Sequence, residues 1–469
     1  MSFSANEEIN DVLRRLGYKE KTEIQKKMLP CVRKKDVIGM AETGTGKTAC
    51  FIIPSIEDLV EDPFGIHTVI LTPTRELCIQ TKEQADIIGH YFGIKSEMVH
   101  GGVEIRRQVP VLRAKPHIVI ATPGRLSALM GTDEIEKCFR NTKKVVLDEA
   151  DLLLNGKQAE AVMKILQKLS AHAKYDLSLF SATDIAPRVA VGAEDGGDVA
   201  DGADEKGSGG IVGSMKENGA LNGRDSGGAG DTYSDSATHF SSKRDREAGG
   251  ADAQIKCPEV WELVEKRNFK IYDVRKEIIP KQIVQEHCRV HKQAKDAHLA
   301  ALLTEEHSDK KVIVFMNRTN ECAVLAEVFQ EMGINAAALC RGMDSSERLR
   351  AFYNFRSGMV QVLLTTDVAS RGIDIKDVKC VINYDLPNSY VDYIHRVGRT
   401  GRLLADGYAL SFVSSTDVEL FEHIQSHVPS EIREKKLVPF ATPRLLNKIS
   451  THKQFILKKR ALKEGQGRM

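Results

Sequence analysis

What the 469-residue chain lacks removes several function classes at once. Its nine cysteines lie scattered from Cys31 to Cys380 with no CxxC pair. That argues against a zinc ribbon or a disulfide framework and fits reduced thiols in a cytosolic or nuclear protein. No apolar run approaches the ~20 residues needed to span a bilayer. The opening MSFSANEEIN has neither the basic flank nor the apolar stretch of a signal peptide, so no membrane role is expected. Net charge is only +2, so affinity for a polyanion must come from where the bases sit. What remains, 42% hydrophobic and 28% charged residues, is ordinary for a globular protein of two or three domains.

Short β-branched runs recur between longer helical patterns. VIGMA (37–41), TVILT (68–72), HIVIAT (117–122), KVVLD (144–148) and LSLFSAT (177–183) read as buried parallel strands. Helical spacing of apolar residues fills Glu76–Tyr91 and Gln158–Ala171. The alternation resumes with KVIVF (311–315), VQVLLTT (360–366), CVINYD (380–385) and YALSFV (408–413). Alternating strands and helices predict βαβ units, hence two α/β domains of similar size, each a doubly wound, mostly parallel sheet.

Between them the composition shifts. Residues 192–250 hold 15 of the 36 glycines and almost no large apolar residues. Such a segment cannot bury enough surface to offset the entropy of ordering it, and disorder is expected. Ordinary sequence resumes near Cys257 and runs through Trp261, Phe269 and Ile271, as though the first domain were interrupted by an insertion. The expected division is 1–190 plus 256–280 for the first domain, 191–255 for the insertion, 281–430 for the second domain and 431–469 for a basic tail. From Thr442 to Met469 that tail carries eight Lys/Arg against one acid, Glu464. A solvated helical face and an RNA-binding appendage account for it equally well.

Two stretches carry chemistry. AETGTGKT (41–48) follows a strand and precedes a helix. Gly44 and Gly46 let backbone N–H groups turn inward around phosphates, with Thr43 and Thr45 in the same loop; Lys47 would reach the terminal phosphates and Thr48 would hold Mg²⁺. The general P-loop pattern has Gly six residues before the lysine, where this chain has Ala41, so a turn without nucleotide stays open as an alternative. In VVLDEAD (145–151) three apolar residues bring Asp148 to the carboxyl end of a strand, where open α/β sheets bind ligands. An acidic first helical turn would explain the same carboxylates through the helix dipole. Beside a P-loop, the stronger reading makes Asp148 the metal partner and Glu149 the base that activates water.

Taken together these motifs resemble a DEAD-box RNA helicase, and the likeness covers nearly the whole chain. That family's P-loop begins with Ala, which Ala41 matches. GYKEKTEIQ (17–25) resembles the adenine-reading segment, implying Gln25 as reader of the base and Phe3 as a candidate stacking partner. TPTRELCIQ (72–80), Gly101-Gly102 and TPGR (122–125) resemble RNA-backbone contacts, implying Pro73, Thr74, Arg75, Gly101, Gly102, Thr122, Pro123, Gly124 and Arg125 in that role. Ser181, Ala182 and Thr183 resemble the element coupling hydrolysis to unwinding, with Asp151 and His395 as its partners. VIVFMNRT (312–319), TTDVASRGIDI (365–375) and YIHRVGRTGR (393–402) resemble the second-domain motifs. They imply Arg318 and Thr365 at RNA, Asp374 at the ribose, and Arg399 and Arg402 at the γ-phosphate. The cofactors implied are ATP and Mg²⁺, and the partner is RNA held by its backbone without regard to sequence.

Three departures stand out. Lys21 replaces the usual proline of the adenine segment, so weaker preorganisation of Gln25 is expected. LCRGMDSSER (339–348) puts Ser345 where glutamine is common, while Arg348 is retained. The insertion lengthens a normally short segment. EDPFGIHTVILTPTREL (61–77), DEADLLL (148–154), TDVELFEHI (416–424) and LLNKIS (445–450) are similar to nucleolar helicases of small ribosomal subunit assembly. The likeness implies a monomeric helicase acting on pre-rRNA with ribosome-assembly factors, in the nucleus and nucleolus or else the cytoplasm. An ATP-binding RNA clamp with negligible turnover is the alternative.

Overall fold

The computed structural model describes residues 2–32, 35–42, 44–155, 158–183, 185, 262, 264, 266–275, 279–367, 378–401, 405–428, 430–436 and 443–466. The insertion, Cys257, Trp261, Thr43, Asp374 and Arg402 lie outside the described residues.

The first lobe is a parallel sheet of β1 (Val37–Met40), β2 (Thr68–Leu71), β3 (Ser96–Val99), β4 (Ile118–Ala121), β5 (Lys144–Asp148), β6 (Asp176–Ser181) and β7 (Lys270–Asp273). Their order is β3-β4-β2-β5-β6-β1-β7. Its helices are α1 (Glu7–Arg15), α2 (Glu23–Met28), α3 (Lys47–Glu61), α4 (Arg75–Gly89), α5 (Ile105–Arg113), α6 (Pro123–Leu129), α7 (Asp133–Glu136), α8 (Ala150–Asn155) and α9 (Ala159–His172). Side chains alternate faces along a strand. Val69, Leu71, Val145 and Leu147 accordingly pack with α6, α8 and α9, while Ile70, Ile120 and Val146 pack with α1 to α4 on the other face. Both faces are covered, which is why these strands read as unbroken apolar runs.

The second lobe repeats the plan. Strands β8 (Ile283–Arg289), β9 (Lys311–Phe315), β10 (Ala336–Leu339), β11 (Val362–Thr365), β12 (Val378–Asn383), β13 (Gly407–Val413) and β14 (Arg433–Glu434) lie in the order β10-β11-β9-β12-β13-β8-β14. Helices α10 (Lys295–Ala301), α11 (Thr319–Glu331), α12 (Ser345–Ser357), α13 (Tyr390–Val397), α14 (Val418–His427) and α15 (Pro443–Gln466) surround it. Both lobes belong to one compact unit. The two doubly wound parallel sheets bear out the expected fold class.

Strand β7 pairs with β1 from Val37↔Lys270 to Met40↔Asp273, so the chain beyond residue 262 completes the first sheet. The tail is a helix seated on the second lobe, with Leu445, Leu446, Ile449 and Ile456 in the core beside α10 and α11. Topology also prepares a site. Strands β5, β6 and β1 are neighbours, with Asp148 opposite Phe180 and Met40 opposite Ser181. The loops leaving these three strands therefore emerge side by side at one sheet edge.

Candidate functional site

The P-loop runs from the end of β1 into α3. Gly44 and Gly46 hold left-handed φ values of 77° and 84°. At Gly46 a Cβ would also run into the Gln25 amide, so glycine is required twice over. Gln25 donates from Nε2 to the Gly46 carbonyl at 3.0 Å, and its Oε1 accepts from the Thr22 N–H at 3.0 Å. Gln25 is thus hydrogen-bonded through both atoms of its amide, with Lys21 standing in place of proline in the segment before it. Phe3 offers no open face: its ring is 5% exposed, packed edge-on to Tyr18 at 5.6 Å with the Lys21 ammonium 5.8 Å above it.

Lys47 donates to the carbonyls of Ala41 at 2.6 Å and Glu42 at 2.9 Å. Burial lowers its pKa, and the carboxylates of Asp148, Glu149 and Asp151 pull it back. Asp148 ends β5, and burial, with Glu149 alongside, pushes its carboxyl up to about 7. The residue after it has a left-handed backbone, Glu149 at φ 53°. A non-glycine residue there costs roughly 1–3 kcal/mol, strain that concentrates at functional sites. The Glu149 N–H donates to Asp148 Oδ1 at 3.1 Å, and Glu149 Oε2 is buried without a hydrogen-bond partner among the described residues.

Asp151, in the first turn of α8, joins three elements. The Thr183 hydroxyl donates to its Oδ2, and Nε2 of His395 lies 3.0 Å from the same oxygen. Burial would raise the Asp151 carboxyl, but the His395 ring and hydrogen bonds from His395, Thr183 and Leu152 bring it down to about 2. Ser181 holds the turn: its hydroxyl donates to the Thr183 carbonyl at 2.8 Å and accepts from the Thr183 N–H at 3.1 Å. Ala182 lies between them, half-buried.

The second lobe reaches this corner through α13 and the turn after it. His395 and Arg399 are one helical turn apart, and Arg399 Nε donates to the His395 carbonyl at 3.0 Å. Arg399 is 3% exposed, with Nη2 4.0 Å from Glu149 Oε1. Arg396, which the motif reading passed over, fixes this helix. Its guanidinium forks onto Asp367 at 2.5 and 2.7 Å, reaches Asn317 Oδ1 at 3.0 Å and the Asp385 carbonyl at 2.6 Å, and lies 5.0 Å over the Phe315 ring. Nothing in its spacing separates Arg396 from its neighbours; only the fold gathers its partners.

Along the same seam lies a basic cluster. Thr74 caps α4, accepting from the Leu77 N–H at 3.3 Å, and the Pro73 carbonyl accepts from Gln158 at 2.8 Å. Arg125 donates to the Val103 carbonyl and to Gln108 at 3.1 Å, beside Gly101 and Gly102. Thr122 caps α6, Pro123 is its first residue and Gly124 is exposed. Arg75 crosses the lobes to Ser345 Oγ at 3.0 Å, and that hydroxyl donates to the Gly102 carbonyl at 3.3 Å. Gly102 has a φ of 90°, and a Cβ there would strike both partners. Arg348 pairs with Glu76 at 2.5 and 3.0 Å, and Arg356 with Glu83 at 2.6 Å. Glu76 and Arg348 belong to two separate segments resembling RNA contacts; their pairing is not readable from the motifs, because 272 residues separate them.

Two residues expected at RNA stand apart from this cluster. Arg318 is exposed and pairs with Glu321 at 3.0 Å. Thr365 is fully buried, its hydroxyl donating to the Leu339 carbonyl at 2.8 Å, so its side chain does not reach the surface.

Residues 22–189 match the DEAD/DEAH box helicase family, and residues 294–403 match the helicase conserved C-terminal domain. The chain is 34% identical to the ATP-dependent RNA helicase DBP8 of Vanderwaltozyma polyspora, over 89% of this chain and 83% of that protein. It is 32% identical to the probable ATP-dependent RNA helicase ddx49 of Dictyostelium discoideum, over 94% of this chain and 73% of that protein. Among solved structures its fold is similar to Dbp5 of S. cerevisiae bound to RNA and ADP BeF3, with a TM-score of 0.68, 22% identity, and coverage of 97% and 98%. It is also similar to Mss116p bound to ssRNA and AMP-PNP, with a TM-score of 0.71, 21% identity, and coverage of 95% and 80%. At such identities the structural likeness is one of fold.

Proposed function

The chain belongs to the DEAD-box family of ATP-dependent RNA helicases, and from that premise we propose that it couples RNA-stimulated ATP hydrolysis to closure of its two lobes, unwinding short duplexes locally or remodelling RNA–protein complexes. The observation that carries this reading is the meeting of Lys47, Asp148, Glu149 and Asp151 with His395 and Arg399 of the other lobe.

Thr43, Gly44, Thr45 and Gly46 cradle the phosphates, Lys47 meets the terminal ones, and Gln25 reads the adenine edge. Asp374 takes the ribose. Thr48 and Asp148 would hold Mg²⁺. Burial, and after it the neighbouring Glu149 carboxylate, raise Asp148 there, a cost that a nearby cation relieves. Among the described residues no three His, Cys, Asp or Glu form a metal cage; a cation shared with phosphates needs only one or two carboxylates. When bound, the ion offsets charge on the phosphates. Glu149, with one carboxylate oxygen unpartnered among the described residues, orients and deprotonates the attacking water. Arg399 and Arg402 stabilise charge on the transferred phosphoryl group. Because these arginines belong to the second lobe, hydrolysis depends on closure.

RNA contacts on Pro73 to Arg75, Gly101, Gly102, Thr122 to Arg125, Arg318 and the backbone near Thr365 report RNA occupancy to that corner through Asp151, Thr183 and His395. The grip is on the backbone, so binding is independent of sequence. We further assign the RNA to pre-rRNA of the small ribosomal subunit, in the nucleolus, with assembly factors as partners and a monomeric helicase. The support is the likeness of residues 61–77, 148–154, 416–424 and 445–450 to helicases of that pathway.

ATPase measurement with and without single-stranded RNA tests the reading. RNA should accelerate hydrolysis; equal, negligible turnover in both conditions would leave an ATP-binding clamp. Crosslinking to cellular RNA tests the assignment: enrichment of small-subunit pre-rRNA supports it, and broad mRNA enrichment sinks it.

A further inference from the structure

Helix α15 uses its basic residues in two ways. Toward the second lobe, Lys453 pairs with Asp296 at 2.9 Å and Arg460 with Glu327 at 2.6 Å, on either side of the buried Ile456. These contacts fasten the helix to α10 and α11. On the outward side, Lys448, Phe455, Lys459 and Leu462 recur at intervals of seven, four and three residues. On an α-helix that spacing forms one stripe, about 21 Å long at 1.5 Å per residue. Lys458 flanks it. Phe455 is 56% exposed and Leu462 is 69% exposed. Among the described residues, Lys448, Lys458 and Lys459 meet no carboxylate at ion-pair distance, and the only acid in the helix sequence is Glu464.

A solvated face accounts for lysines but not for a phenylalanine and a leucine set between them. A stripe alternating ammonium groups with an aromatic ring matches single-stranded nucleic acid, whose phosphates and base faces alternate in the same way. The stripe is also joined to the second lobe near a residue assigned to RNA, since α11, to which Arg460 is clamped, starts at Thr319 with Arg318 as its N-cap.

We propose that this outward stripe of α15 is a second site for single-stranded RNA, taking RNA beyond the stretch gripped at the lobe seam. Phe455 stacks on a base, and Lys448, Lys458 and Lys459 meet phosphates. This rests on the RNA-helicase reading above and adds a second foothold to it.

The test uses the full chain and oligo(U) of two lengths. One is the shortest that saturates the ATPase of the parent protein; the other is several times longer. The parent should bind the long RNA more tightly. Phe455→Ala should lower the long-to-short affinity ratio roughly 5- to 100-fold, the range of one lost base stack. Changing Lys448, Lys458 and Lys459 together to Gln should reduce the log–log salt slope for the long RNA by about 2, at about 0.7 per phosphate. Unchanged melting temperatures establish that the exposed substitutions leave the fold intact. Parent-like ratios and slopes in both variants would overturn the proposal and leave the stripe to a protein partner. A parent that binds both lengths equally, while RNA still stimulates its ATPase, would overturn the second site alone. A parent without RNA stimulation would overturn the helicase reading along with it.

Discussion

The two ends of the lobe seam are built differently. At the RNA end the charges that cross the seam are matched: Arg348 forks onto Glu76 at 2.5 and 3.0 Å, Arg356 meets Glu83 at 2.6 Å, and Ser345 holds Arg75. At the ATP end, among the described residues, Glu149 Oε2 and His395 Nδ1 are buried without hydrogen-bond partners, and Asp148 is pushed up to about 7. Buried polar groups ordinarily find partners. Matched cross-lobe charges at one end, and a buried carboxylate oxygen and ring nitrogen without described partners at the other, are what a structural clasp and a site for charged phosphates would respectively require.

This contrast can be broken from either end. The largest effect is expected from Arg399→Ala, which should lower the RNA-stimulated hydrolysis rate by about 10³- to 10⁵-fold in single-turnover assays. Glu149→Gln keeps the size and removes the base, and should cost about 10²- to 10⁴-fold in the same assay; parent-like hydrolysis would refute its assigned role. At the clasp the effect falls on cooperativity. Glu76→Gln leaves the Arg348 charge without its partner and should weaken the mutual reinforcement of RNA and a non-hydrolysable ATP analogue by about 10- to 100-fold. RNA affinity with and without the analogue measures it. Ser345→Ala removes one charge-assisted hydrogen bond and should reduce the same ratio about 5- to 10-fold, with Ser345→Thr restoring it.

A control away from the seam concerns stability and should leave the RNA–nucleotide coupling unchanged. Burial, with Lys144 nearby, lowers His67 from 6.5 to about 4. The unfolded chain therefore binds the proton first, so this contribution is present above pH ~6.5 and is lost as pH falls toward ~4, up to about 3 kcal/mol. Melting curves of the parent and His67→Gln should diverge over that window, the parent losing more stability with acid. Parallel curves would remove His67 from the account.

The ATP end was legible in the sequence because its chemistry sits in unbroken runs at strand ends. AETGTGKT and VVLDEAD each place their polar residues directly after an apolar strand, so local pattern and function coincide. VVLDEAD proved to be both things it resembled, a strand end at Asp148 and a helix start at Ala150. The clasp was not legible, because Glu76 and Arg348 share no local pattern and only lobe docking brings them together. Among the strands, β3 and β10 escaped notice as edge strands of polar or alanine composition, SEMV and AAAL, whose middle residues are only half-buried. Strand β8 hid for a related reason, being half-exposed along IVQEHCR. The motif gives no direction for Thr365: it ends β11 with its hydroxyl turned inward to the Leu339 carbonyl, which only the fold shows.

The central claim is that the catalytic corner is completed across the seam, with RNA promoting its completion. Its most direct test is the single-turnover rate of ATP hydrolysis by the parent and by Arg399→Ala, each with and without saturating single-stranded RNA. RNA should accelerate the parent by orders of magnitude, and Arg399→Ala should lose most of that acceleration. If RNA accelerated both proteins equally, the corner would not depend on the second lobe in the way proposed here.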